Sequence, residues 1–432
     1  MSGNRPIHVL MLGWEFPPYI SGGLGTACHG LTRALDRRGI AITFVMPRAV
    51  LQGRSGTGFT EQKEWDTGAI RSSDPFANLS FAVIPMNLRP YGLQGPQPNG
   101  RQREFGALPG THIPRKRVIE GAIYGAKMLA AVERYAKWVV DLAARSCFDL
   151  VHAHDWMTFP AAAAVARASG KPFIAHVHST EFDRSGTQIN QAVYDIERAG
   201  MHAANKIVAV SNYTKNRLVR HYGVAPARVQ VVYNGVDFAD SSGSTVLPSK
   251  DGPMVLFLGR ITMQKGPDYF LAAAKRVLEV IDNVTFVMAG EGDMLPRMIE
   301  QAAALGIGQK VLFTRFLQGE QVACIFRMAD LYVMPSVSEP FGIAPLEALS
   351  HNVPVIISKQ SGVSEVLTHA LKVDFWDIDQ MANKMIAVLK HAPLRDTLRA
   401  YGRNEARGLR WEDAASTVER IYSEVLAQAA CK

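Results

Sequence analysis

Met254-Val255-Leu256-Phe257-Leu258-Gly259-Arg260-Ile261-Thr262-Met263-Gln264-Lys265-Gly266 is an unbroken apolar run that stops at a glycine and releases two spaced cations. A continuous rather than alternating apolar run is what a strand covered on both faces requires. Similar runs occupy 7–12, 40–46, 150–154, 173–177 and 206–210 upstream, and 284–289, 310–314, 331–334 and 353–357 downstream. Longer amphipathic stretches separate them, which predicts parallel strands joined by helices, a doubly wound α/β arrangement occurring twice. The Ser/Gly/Pro-rich break at 238–253 divides the two. Domains are expected over 1–240 and 241–405, and 411–429 reads as a closing helix.

With 432 residues, each half has enough chain to bury its own core. A hydrophobic share of 47% and a charged share of 20% suit a globular enzyme. No apolar run reaches the ~18–20 residues of a membrane span. The run at 7–12 is too short, and too soon followed by Trp14-Glu15, to be a signal peptide, so a cytoplasmic protein is expected. Cys28, Cys147, Cys324 and Cys431 form no close pairs, which excludes a zinc ribbon and argues against a disulfide framework. The net charge of +8 fits an anionic partner such as a nucleotide phosphate. Arg101, Arg103, Arg115, Lys116 and Arg117 read as a solvated loop, and no nucleic-acid signature accompanies them. The helical pattern at 115–145 sets Ile119, Ile123, Tyr135, Val139 and Leu142 near one face and reads as a core helix; peripheral membrane contact is not indicated. The stretch 51–114 reads as irregular and is too long for a plain connection.

Ligands of open α/β sheets sit beyond the carboxyl ends of the strands, so the residues following each run are the candidates. Gly13 is followed by Gly22-Gly23-Leu24-Gly25 and then a helix, a place where backbone N–H groups can approach an anion. A dinucleotide dehydrogenase would need a tight G-x-G-x-x-G and an acid after the second strand; here nine residues separate Gly13 from Gly23, and the second strand ends Pro47-Arg48. His152-Ala-His154-Asp155-Trp156 and His176-Val-His178 offer two H-x-H pairs that could converge on a metal. Alternate residues of a doubly covered strand share one core layer, however, so only Asp155 and His178 are expected in the crevice, and no metal is expected. Arg260 and Lys265 can reach one diphosphate, the first as a planar fork and the second as a point charge. In Ser336-Val-Ser-Glu339-Pro340-Phe-Gly342-Ile343-Ala-Pro345-Leu-Glu347, Pro345 suits a helix start, the N–H groups of Gly342 and Ile343 would point at an anion, and Glu339 precedes the helix in a rigid loop. Asp377-Ile-Asp379 reads as a cap or a solvated loop.

Together these residues resemble the retaining GT-B glycosyltransferases, whose two Rossmann-like, doubly wound parallel-sheet domains face each other across a cleft, and most closely the glycogen and starch synthase-like members. The resemblance rests on Glu339-x7-Glu347 with Pro340-Phe341-Gly342 inside it, on Arg260-x4-Lys265, and on Gly22-Gly23-Leu24-Gly25, His154-Asp155-Trp156 and Tyr233-Asn234-Gly235-Val236-Asp237, in the family's order. It implies that Arg260 and Lys265 bind the donor diphosphate and that Gly23 contacts the phosphates. Glu347 would accept from the ribose hydroxyls, and Glu339 and His178 would flank the transferred sugar. By the same resemblance Asp155 and Asn234 would be polar groups of the cleft, Glu15 and Trp156 would line the acceptor side, and the segment 406–432 would cross back onto the N-terminal domain. The donor would be ADP-glucose or UDP-glucose, the acceptor an α-glucan or another hydroxyl compound, with no cofactor and no metal. Three departures stand out: no lysine in Pro17-Pro18-Tyr19-Ile20-Ser21, Thr314-Arg315-Phe316 where a glycine is common, and no counterpart for 51–114. The competing readings are transfer to a lipid-linked or small acceptor, a sugar-nucleotide epimerase, and a non-catalytic nucleotide-sugar-binding module.

Overall fold

The computed structural model describes residues 5–17, 22–48, 76–85, 126–238 and 252–431. Strands β1 (His8–Leu12), β2 (Ala41–Arg48), β3 (Leu79–Pro85), β4 (Leu150–His154), β5 (Phe173–Val177), β6 (Lys206–Ala209) and β7 (Val229–Val231) form a parallel sheet in the order β3-β2-β1-β4-β5-β6-β7. Strands β8 (Met254–Leu258), β9 (Thr285–Ala289), β10 (Val311–Arg315), β11 (Leu331–Met334), β12 (Val355–Ser358) and β13 (Leu371–Val373) form a second, in the order β10-β9-β8-β11-β12-β13. Each sheet is sandwiched. In the first, Leu10, Leu12 and Val151 enter one core cluster while Val9, Met11 and Ile174 enter another on the opposite face. Burial on both faces is why these strands carry no polar alternation.

Strand order reverses between β1 and β4 in the first sheet and between β8 and β11 in the second. Those are the switch points at which doubly wound sheets open a crevice. The segments following these four strands carry Gly23, Asp155, Arg260 and Glu339, so the fold itself gathers most of the candidate loops.

The helix Trp411–Ala430 runs against the helix Gly23–Arg37 of the N-terminal domain. Its Trp411, Ala415, Val418, Tyr422 and Val425 sit at helical spacing and are buried in the core of that domain. Gly30 makes the approach possible: a Cβ there would stand 2.2 Å from the Trp411 ring.

Three strands depart from the sequence expectations. β3 lies inside 51–114, which reads as irregular; its Phe81-Ala82-Val83-Ile84 run is short and set among Gly- and Pro-rich sequence. β7 and β13 have only three residues each and lie at sheet edges, too short to show a period. Ile119 and Ile123 lie outside the described residues, while the helix Ala126–Ala143 buries Tyr135 and Val139 in the core. No helix among the described residues is long and apolar enough to cross a membrane.

Candidate active site

The C-terminal wall is built around Gln264. Its backbone carbonyl accepts from Val337 N–H at 2.9 Å, its Nε2 donates to the Ser338 carbonyl at 3.1 Å, and its Oε1 accepts from Arg260 Nη2 at 3.4 Å. Gly266 turns the chain at φ 64°, close enough to β11 that a Cβ would meet the Pro335 carbonyl at 2.2 Å. Only glycine fits there, and the turn brings Lys265 beside the loop after β11. Lys265 Nζ then pairs with the Glu339 carboxylate, which also accepts from Ser336 Oγ at 3.2 Å. Glu339 is 7% exposed, whereas Arg260 and Lys265 are half-buried at the crevice. Two cations on one rim of a switch point supply the kind of charge that a diphosphate would need.

The N-terminal wall is a layer of imidazoles. His152 and His154 on β4 stack with centroids 4.6 Å apart, and His176 and His178 at the end of β5 stack at 4.2 Å. His154 Nδ1 and His178 Nε2 share a hydrogen bond of 2.8 Å, His152 Nε2 and His176 Nδ1 one of 3.1 Å, and His152 Nδ1 stands 2.5 Å from the Tyr422 hydroxyl. Burial drives all four rings toward the neutral form, His152 and His178 to about 3. His178 alone is partly exposed, at the cleft end of the layer.

Asp155, expected in the crevice, is instead 5% exposed with φ 61°, and its Oδ1 accepts from the backbone N–H groups of His178 at 2.7 Å and Ser179 at 3.3 Å. It orients the strand end that carries His178. Burial raises its carboxyl to about 7 against those hydrogen bonds. Trp156 and Glu15, expected on the acceptor side, are both 2% exposed; Trp156 belongs to the hydrophobic core.

The walls are joined by residues that sequence reasoning missed. Asp183 accepts from Thr180 Oγ1 at 2.7 Å, from Arg217 Nη1 at 2.8 Å and, across the domains, from Ser338 Oγ at 2.6 Å. Ser211 Oγ donates to the Pro340 carbonyl at 2.5 Å. The loop bearing His178 and the loop bearing Glu339 are therefore held in one frame. Asp183 and Ser338 are 155 residues apart, and neither was among the candidate site residues, although Ser338 adjoins Glu339.

Glu347 lies on the helix Ala344–Ser350, with Pro345 in its first turn; Gly342 precedes it at φ 104°, and Ile343 is the N-cap. An interdomain pocket lined by Thr26, Gly235, Asp237, Gly319, Ile343 and Glu347 opens in front of it. Burial, and then Asp237, raise the Glu347 carboxyl to about 7. Gly23 is exposed at the start of its helix, and Pro18 to Ser21 lie outside the described residues. Asn234 is 7% exposed, and the adjoining Gly235 and Val236 clamp the start of the last helix, Val236 N–H donating to the Leu409 carbonyl at 3.0 Å. Arg315, within the segment Thr314-Arg315-Phe316 where the resemblance leads one to expect a glycine, adopts φ 59° at an irregularity of β10, a conformation that favours glycine. Asp377 caps the helix Ile378–Lys390 by accepting from Gln380 N–H at 3.0 Å, while Asp379 is solvated.

Two doubly wound domains with opposed switch-point loops define the GT-B class of sugar transferases. The N-terminal domain matches the family described as Glycosyltransferase Family 4 over residues 95–240, and the C-terminal domain matches Glycosyl transferases group 1 over 244–405. The chain belongs to the GT-B glycosyltransferases. It is 26% identical to an uncharacterized glycosyltransferase of Methanocaldococcus jannaschii, covering 84% of this chain and 83% of the other. It is 25% identical to a glycogen synthase of Mycobacterium tuberculosis, covering 96% and 94%. A sucrose-phosphate synthase from Thermosynechococcus elongatus superposes with a TM-score of 0.73 at 18% identity, covering 98% and 100%. An Anabaena protein solved with UDP and glucose superposes at 0.66 and 15% identity, covering 97% and 100%.

Proposed function

We propose that the chain is a retaining hexosyltransferase that moves a glucosyl group from UDP-glucose or ADP-glucose to an acceptor hydroxyl, with an α-glucan as the first candidate. The observation that carries this is the placement of Lys265 and Arg260 beside Glu339 at the switch point of the C-terminal sheet. As the bond from the anomeric carbon to the diphosphate breaks, negative charge grows on the leaving phosphate, and the two cations stabilise it without a metal. The sugar becomes cation-like next to Glu339 and His178. The acceptor oxygen attacks from the face the phosphate leaves, and the departing phosphate takes the acceptor proton. Glu347 receives the ribose hydroxyls, Gly342, Ile343 and Gly23 approach the phosphates, and Asp155 and Asn234 order the cleft behind His178. The helix after residue 405 belongs functionally with the N-terminal domain, and a cytoplasmic location goes with this activity.

Support for a glucan acceptor comes from the glycogen synthase relative, which aligns over nearly the whole chain. A second acceptor class, a small phosphorylated polyol, is favoured by D-inositol 3-phosphate glycosyltransferases such as that of Catenulispora acidiphila, 27% identical over 65% of this chain and 73% of that one. A donor panel separates the two: UDP- and ADP-glucose are offered with maltooligosaccharide or inositol phosphate, and released nucleotide is measured against transferred sugar. Nucleotide release that is the same with and without every acceptor would sink the transferase reading in favour of hydrolysis.

A further inference from the structure

Behind the cleft face of His178 lie Cys28 and His154, which the transfer reaction does not use. Cys28, on the helix Gly23–Arg37, is fully buried. Its Sγ and one ring nitrogen each of His154 and His178 all lie within 4.8 Å of one another. Three separate elements deliver these atoms: a helix, the end of β4 and the residue after β5.

The hydrogen-bond account of the imidazole layer does not close. His154 Nε2, His176 Nε2 and His178 Nδ1 are buried and have no partner. Buried polar groups without a partner are uncommon in folded proteins and point to a water or an ion. The carboxyl groups of Asp155 and Glu15 stand near enough to act on Cys28, and together they would offset the charge of a cation held there.

We propose that Cys28, His154 and His178 form a binding site for a soft divalent cation of the zinc class, with its fourth position open toward the cleft. Zinc–sulfur bonds of about 2.3 Å and zinc–nitrogen bonds of about 2.0–2.1 Å require ligand atoms roughly 3.3–3.6 Å apart, so Cys28 Sγ closes on the pair by on the order of 1 Å while His154 Nδ1 and His178 Nε2, now 2.8 Å apart, open by about half an ångström. On binding, the Cys28 thiol releases its proton to solvent as the sulfur–metal bond forms. The ring proton now shared between His154 and His178 moves to an outer nitrogen, one of those without a partner in the present arrangement. The sequence alone reads the H-x-H pairs as a core layer without metal; Cys28, contributed by a helix far away in the chain, changes the donor set. Metal binding does not depend on the transferase reading. Its consequence does: a cation on His178 withdraws that ring from the sugar and inhibits transfer.

The test is a titration of the full chain with cobalt(II), following thiolate-to-metal charge-transfer absorption, and with zinc by calorimetry. One equivalent is expected, with the absorption band present and a proton released. The double variant Cys147→Ser/Cys431→Ser leaves the core intact and should keep the band; its disappearance there overturns the site. Cys28→Ala should lose the band and at least tenfold in zinc affinity, and equal affinity in that variant overturns it as well. Zinc should inhibit sugar transfer at least tenfold more strongly in the wild type than in Cys28→Ala, and equal inhibition removes the link to His178. A chain that shows the band and no transfer with any donor refutes the enzyme reading while the metal site stands.

Discussion

Lys265 and Glu339 are ion-paired across the switch point of the C-terminal sheet, one placed by the segment after β8 and the other by the loop after β11. A donor diphosphate bound as proposed would compete with the carboxylate for the ammonium group; until then the pair holds the cation at the rim. Lys265→Ala should lower turnover by roughly 10²–10³-fold, the usual cost of one charge-stabilising group in a low-dielectric site. Circular dichroism should be unchanged, since the lysine is half-buried at a rim rather than in a core. Normal turnover by a folded variant would remove Lys265 from the donor site.

The imidazole layer makes stability depend on acid. His152 is 0% exposed, and burial, with a smaller contribution from His178, lowers its pKa to about 3, against about 6.5 in an unfolded chain. Below about pH 6.5 the unfolded chain takes up a proton that the fold refuses until about 3. The stabilising contribution of the neutral ring is therefore complete above the unfolded value and is lost as pH falls through that window, with a slope of up to about 1.4 kcal/mol per pH unit for this one ring. Urea midpoints measured from about pH 7 down to about 4 should fall steadily. His152→Gln, which can still hydrogen-bond Tyr422, should flatten the slope, and an unchanged slope would mean that His152 does not titrate on unfolding.

Much of this architecture was legible because burial on both faces writes itself into sequence. The runs at 150–154, 173–177, 254–258 and 331–334 coincide with β4, β5, β8 and β11, the strands whose ends build the cleft. β3 was hidden because its apolar run at 81–84 is short and set among Gly- and Pro-rich sequence. Arg260, Lys265 and Glu339 could be nominated because they follow those strands directly. Gln264, Asp183 and Ser338 could not, since a neutral amide or a serine gains its role only when a partner arrives from elsewhere in the fold. Asp155 and Trp156 show the converse: position past a strand end suggested the crevice for the first and the resemblance suggested the acceptor side for the second, while packing turned the carboxylate onto backbone amides and took the indole into the core.

Glu347 should make nucleotide binding depend on pH near neutrality. Burial first, and the Asp237 carboxylate second, hold its own carboxyl at about 7. Only the ionised form accepts two hydroxyl hydrogen bonds, so affinity for the nucleoside diphosphate should rise as pH passes upward through that value. Asp237→Asn removes the repelling charge and should move the midpoint down. Glu347→Gln should weaken binding and abolish the pH dependence in this window. Calorimetric titration of UDP or ADP across the range measures all three, and a pH-independent wild type would separate Glu347 from the ribose.

The attachment of the last helix can be tested at one atom. A Cβ on Gly30 would sit 2.2 Å from Cε2 and 2.5 Å from Nε1 of Trp411, a residue that is itself 3% exposed. Neither the indole nor the helix backbone has room to yield, so Gly30→Ala should destabilise the protein by about 1–3 kcal/mol, the usual cost of overpacking a core. The ordinary helix-propensity argument predicts the opposite sign, since alanine is the better helix former. Thermal unfolding therefore distinguishes the two. Combining the change with Trp411→Leu should relieve the clash, giving a double variant less destabilised than the sum of the single ones. Strict additivity would mean that the helix Trp411–Ala430 does not depend on this contact to stay docked on the N-terminal domain.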